Sequence, residues 1–197
     1  MFGKRINLFR ILGFQVRIDF SWIIIAVLIA WSLSKGLFPF YFKGLTEATY
    51  WTMGIIGALG LFVSILFHEF CHSLVARKYG IPMKGITLFI FGGMAEMTDE
   101  PTSPKAEFMM AVAGPISSIF LGAVFYAAAF AGARMQLPEG VTGVLQYLGF
   151  INAILAAFNV IPAFPLDGGR ILRSILWGMK HNLRRATRIS SWIGSAF

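Results

Sequence analysis

Residues 68 to 72 read His68-Glu69-Phe70-Cys71-His72. On a helix, residues four apart lie one turn apart on one face, so His68 and His72 can offer two imidazoles to one ion. Glu69 projects from the same side, offset from both, where it can hold a water and take its proton. This is the mechanical content of a zinc hydrolase motif. Zinc suits imidazole and lowers the pKa of a bound water to about 7. Such sites use three protein ligands and leave one position open. The third donor must therefore come from elsewhere in the chain. Cys71 points away around the helix and reads as a small packing residue, and His181 sits in a basic, exposed segment. Of the nine acids, only Glu69 and Asp167 fall within or at the end of an apolar run. Asp167 closes the stretch Asn159-Val-Ile-Pro162-Ala-Phe-Pro165-Leu-Asp167-Gly168-Gly169. Prolines break a helix and glycines free the backbone, so this carboxylate can turn inward. Taken alone, Asp167-Gly168 would read as a turn. Beside the two histidines it is the candidate third ligand.

The elements that hold these residues are apolar. Hydrophobic residues make up 57% of the 197 and charged residues 13%, against roughly 25% charged in ordinary soluble domains. Mean hydropathy is +0.72. Lipid is the natural solvent for such a chain. Four uncharged runs stand out: Phe20–Ser34, Tyr50–Phe67 with a helical pattern continuing to Ala76, Phe108–Gly132 and Val141–Leu166. A span needs roughly 17–25 apolar residues. The first run is short, so its helix is expected to reach about Phe38 with Lys35 snorkelling. It has no small-residue cleavage pattern after it and reads as a retained span. The expected fold is an all-α polytopic bundle of about four transmembrane helices with a short membrane-associated β-hairpin or strand segment.

Net charge is +8, and its placement argues for a membrane surface rather than nucleic acid. Fourteen of the seventeen Lys and Arg precede the first run, lie between the second and third, or follow the fourth. That bias predicts a cytoplasmic N-terminus, 77–107 loop and C-terminal segment. Spans two and four then both run toward the cytoplasm, which brings His72 and Asp167 to similar depth. The His–Glu–His pattern falls inside a span, where a charged group costs at least roughly 2.5–3.5 kcal/mol; lipid cannot solvate it as water solvates an exposed helix face. A His–Glu pair knitting helices together is the plainer alternative. Ile86–Met97 is too short to span and carries Gly92-Gly93 at its centre, which predicts a strand pair or re-entrant hairpin. Ile171, Leu172, Ile175, Leu176 and Met179 recur at helical spacing and predict an interfacial helix. A single cysteine permits no intrachain disulfide. The terminal ISSWIGSAF reads as the start of another apolar stretch, so residues 1–197 are expected to be one membrane domain cut short at its C-terminal end.

His68-Glu69-x-x-His72, Phe91-Gly92-Gly93, Ala113-Gly114-Pro115 and Asn159-x-x-Pro162-x-x-Pro165-Leu166-Asp167-Gly168-Gly169 together resemble the site-2 protease family of intramembrane zinc metalloproteases. The likeness covers about residues 10–190. Many members carry Gly where this chain has Cys71. The resemblance implies Zn2+ on His68, His72 and Asp167, Glu69 as general base, and Asn159 positioning the substrate or oxyanion. It implies cleavage within or near transmembrane segments of other proteins: anti-sigma factors, membrane-bound transcription factors or signal-peptide remnants. The 86–97 segment, with Gly92 and Gly93, could offer a strand edge to an extended substrate. Gly114 and Pro115 either let the third span approach the site or kink it. A bacterial or archaeal cell membrane with the site opening toward the cytoplasm, and a lipid bilayer but no nucleic acid as partner, complete the expectation; a homodimer stays open. A divalent-metal transporter and an inactive membrane scaffold are the alternatives.

Overall fold

The computed structural model describes residues 5–89, 92–97 and 100–194. Phe91 of the motif above lies outside them. The chain begins with two strands, β1 (Arg5–Ile11) and β2 (Phe14–Asp19). Asp19 then caps α1 (Phe20–Ser32), its carboxylate accepting from the Ser21 amide at 2.9 Å. A π-helical turn over Leu33–Leu37 and α2 (Phe38–Tyr41) continue the same rod, Phe20–Tyr41. Thr46 caps α3 (Glu47–Lys78), and Ser103 caps α4 (Pro104–Arg134) with Pro104 in its first turn. Between them lie β3 (Met83–Phe89) and β4 (Gly92–Met97). The last helices are α5 (Glu139–Asn159), α6 (Asp167–Lys180) and α7 (Leu183–Gly194).

Four of these helical stretches are long and apolar enough to cross a membrane: Phe20–Tyr41, α3, α4 and α5. At 1.5 Å per residue the 32-residue α3 is about 48 Å long, more than the ~30 Å hydrocarbon core. The distribution of side chains fits lipid. Ile55, Ile56, Leu59 and Val63 on α3 and Ile116, Ile119 and Phe120 on α4 are exposed, while Ser64, His68, His72, Ser73, Ser117, Ser118 and Asn152 are buried. Water-soluble folds place these classes the other way round. The protein is an integral membrane protein of the expected helical class.

The fold adds something the sequence did not announce. The 86–97 segment does form an antiparallel pair, β3 with β4. The N-terminal stretch, for which the sequence predicted only a side of the membrane, supplies two further strands. The sheet order is β1-β2-β3-β4, with β2 parallel to β3 through Val16↔Ile86 and Ile18↔Leu88. Ile18, Ile86 and Leu88 bury their side chains against Ile65, Leu66 and Phe70 of α3. The sheet thus lies over the α3 segment that carries Glu69. A second core joins Leu33, Phe38 and Met53 to Val144, Tyr147 and Leu148, fastening the first rod and α3 to α5.

Candidate metal centre

On α3, Ser64, His68, His72 and Ala76 form one buried stripe at four-residue spacing. The fourth apolar run ends earlier than its composition suggests. α5 stops at Asn159, the chain turns through Pro162 and Pro165, and a new helix starts at Asp167. Asp167 therefore sits in the first turn of α6, where unpaired backbone amides and the helix dipole favour an acid. Gly168 and Gly169 allow that turn to press on the loop. A Cβ on Gly168 would lie 2.2 Å from the Val160 carbonyl oxygen, and one on Gly169 would lie 2.8 Å from the Ala163 carbonyl carbon.

These elements bring three donor atoms together. His68 Nε2 and His72 Nε2 are 3.1 Å apart, and each is 3.1 Å from Asp167 Oδ2. Among the described residues they form a group able to hold a metal. A tetrahedral zinc with bonds of roughly 2.0–2.1 Å needs donors about 3.3 Å apart, so the triangle fits that ion. The second nitrogens are committed elsewhere. His72 Nδ1–H donates to the Met110 carbonyl at 2.7 Å, and His68 Nδ1 pairs with Ser118 Oγ at 2.9 Å. Fixing Nδ1 in this way orients each ring and leaves Nε2 for a metal.

Both partners come from α4, and so does the space. Glu107, Met110, Gly114 and Ser118 recur at spacings of three, four and four, which is one helix face. A Cβ on Gly114 would lie 2.1 Å from His72 Nε2 and 2.5 Å from His68 Nε2. Gly114 is thus a close-approach position. Pro115, the next residue, has no N–H to give the Ala111 carbonyl, and α4 continues through it.

Glu69 is half-buried and faces β4: a Cβ on Gly93 would lie 2.5 Å from Glu69 Cγ. Gly92 begins the same strand. Asn159 ends α5, and its amide donates to the Leu155 carbonyl of its own helix at 2.9 Å. Cys71 is half-buried beside Ser117, outside the donor triangle. His181 is exposed and ends α6 with a left-handed backbone.

Three supporting groups were not evident in advance. Ser118 carried a readable signal, four residues beyond Gly114 on the same face. The Met110 carbonyl carried none, since any residue supplies one. Glu107 corrects the count of acids at spans: it lies in the first turn of α4, fully buried. It was passed over because the apolar run begins only at Phe108. The Ser118 contact leads to a direct expectation. Ser118→Ala frees the His68 ring and should weaken zinc binding by roughly ten- to a hundred-fold. Chelator competition measures this; unchanged affinity would remove Ser118 from the support of the site.

The profile of peptidase family M50 matches residues 56–140 and 132–197. A relative from Mycobacterium tuberculosis that carries a zinc metalloprotease name is 39% identical over 97% of this chain and 47% of its own length. One from Synechocystis sp., also with a zinc metalloprotease name, is 38% identical over 99% of this chain and 50% of its own length. The solved structure of a site-2 protease from Methanocaldococcus jannaschii is 32% identical and superposes with a TM-score of 0.63, covering 98% of this chain and 81% of that one. The chain spans about half the length of the curated relatives it matches.

Proposed function

The chain belongs to peptidase family M50, and from that membership we propose that it is an intramembrane zinc metalloendopeptidase acting on peptide bonds in or near transmembrane segments of other proteins. The observation that carries the proposal is the donor triangle: two imidazoles and one carboxylate, mutually 3.1 Å apart, with Glu69 next to His68 on the same helix. In this reading His68, His72 and Asp167 hold the ion and residues 1–197 act as one domain.

Zinc, when bound, supplies a Lewis acid that polarises the scissile carbonyl and makes a water acidic near neutral pH. Glu69 takes the proton of the attacking water and later delivers it to the leaving amine. Asn159 gives one amide hydrogen to Leu155 and keeps a second for the developing oxyanion. The substrate must be extended, because a helical peptide bond is shielded by its own turn. β4 ends the sheet order and lies against Glu69 at Gly93. A substrate strand added to that edge would pass beside the base. Gly114 keeps α4 close while leaving the centre of the site open. The excess of Lys and Arg on one side supports an opening toward the cytoplasm, and a bacterial or archaeal cell membrane is the setting proposed. Anti-sigma factors, membrane-bound transcription factors and signal-peptide remnants are the substrate classes proposed.

Co-expression with candidate single-span proteins tests the reading. Cleavage is expected for the wild type in membranes, is lost when a zinc chelator strips the metal, and returns on adding zinc. Uptake of zinc into vesicles carrying the protein, without cleavage of any candidate, would replace the peptidase by a transporter.

A further inference from the structure

Asp167 reaches the two histidines from a helix of only 14 residues that follows an irregular loop. Something must set the rotation and height of α6. Its N-terminal turn packs on residues 160–164, but that loop has no regular structure of its own.

Two turns beyond Asp167 lies the other end of the support. Arg173 Nε donates to Glu107 Oε1 at 2.7 Å, and Arg173 Nη2 donates to the same oxygen. Arg170 Nε lies 4.0 Å from it. Glu107 is fully buried, and both arginines are mostly so. The Arg173 guanidinium also lies 5.5 Å over the Phe164 ring, in the loop that leads to Asp167. Asp167, Arg170 and Arg173 are three residues apart along one face of α6. On the α4 side, Glu107 is one turn from Met110, whose carbonyl orients His72. Arg170 also lies within electrostatic reach of Asp167 and Glu69.

We propose that Glu107 and Arg173 form a buried latch that positions Asp167, tying α6 to the same face of α4 that orients the two histidines. The proposal rests on the reading of His68, His72 and Asp167 as the ligand set. Glu107 and Arg173 touch neither metal nor substrate; they are positioning residues. A buried carboxylate is costly unless it is paired, and a guanidinium gripping one oxygen with two donors fixes direction as well as distance. Apolar packing of similar volume could hold two helices together equally well. It would not fix their rotation in the same way.

The test uses the full chain in detergent, with zinc alone as the probe. Affinity is read by chelator competition, and melting is followed on the metal-free protein. Asp167→Asn is the reference and should lose a hundred-fold or more in affinity. Glu107→Gln should lose roughly ten-fold. The double variant Glu107→Met with Arg173→Met removes both members of the pair and leaves Arg170 within reach of Asp167 and Glu69. Its metal-free melting temperature should return to the wild-type value or above it, while its zinc affinity stays low. Arg173→Lys keeps the charge but not the two-donor grip and should fall a few-fold; it serves where either replacement fails to fold. Wild-type affinity in the double variant, or in Arg173→Lys, beside lost affinity in Asp167→Asn overturns the latch alone. Unchanged affinity in Asp167→Asn removes the ligand reading, and the latch with it.

Discussion

Replacing Glu69 by Gln should leave zinc bound and lower peptide cleavage by roughly a hundred- to ten-thousand-fold, the usual contribution of a positioned base. Gln keeps the length and shape of the side chain, which matters because Gly93 of β4 closes on the Glu69 Cγ. A bulkier replacement would push β4 aside and confuse two effects. Gln cannot accept the proton of the attacking water, so only the chemistry changes. The three proposed donors are untouched, and zinc should remain at one per chain. Metal analysis and single-turnover cleavage on one preparation give both answers. Cleavage within a few-fold of wild type would move the base elsewhere. Loss of zinc would make Glu69 a ligand.

Gly114→Ala should have the opposite signature, losing the metal and the activity together. The added Cβ would stand 2.1 Å from His72 Nε2 and 2.5 Å from His68 Nε2. It is borne by backbone and has no rotamer to escape through. The helix would have to withdraw, but α4 is fastened to these same rings through the Met110 carbonyl and Ser118 Oγ. Retreat therefore costs both ring orientations as well as the space. A drop of at least about a hundred-fold in zinc affinity is expected, with helical content by circular dichroism unchanged. An alanine variant that still took up zinc with wild-type affinity would show that the metal does not sit between α3 and α4.

The membrane helices and the proposed ligands were legible because each rests on local sequence. Apolar runs mark spans whatever they pack against, and His68 and His72 share a face by helical geometry alone. Asp167 could be reached by elimination among few acids. The break after Asn159 was foreshadowed by Pro162 and Pro165, yet the run of apolar residues to Leu166 concealed how early α5 ends. The strands β1 and β2 were missed for a different reason. β2 pairs with β3 across a gap that contains two spans, and a long-range pairing leaves no mark on either segment. Glu107 sat one residue outside an apolar run, and Arg170 and Arg173 counted only among the basic residues that follow the fourth run. Only folding reveals that these three point at one another.

The four supports on α4, at 107, 110, 114 and 118, share a single line along the helix. Each residue advances an α-helix by about 100°. Inserting or deleting one residue between any two of them would swing every later support away from its partner while the helix itself survived. Outward residues such as Ile116, Ile119 and Phe120 can change among apolar types. The spacing from 107 to 118 cannot change at all. Over this stretch, exchanges of side chain on the outward face are expected to be tolerated and changes of length are not.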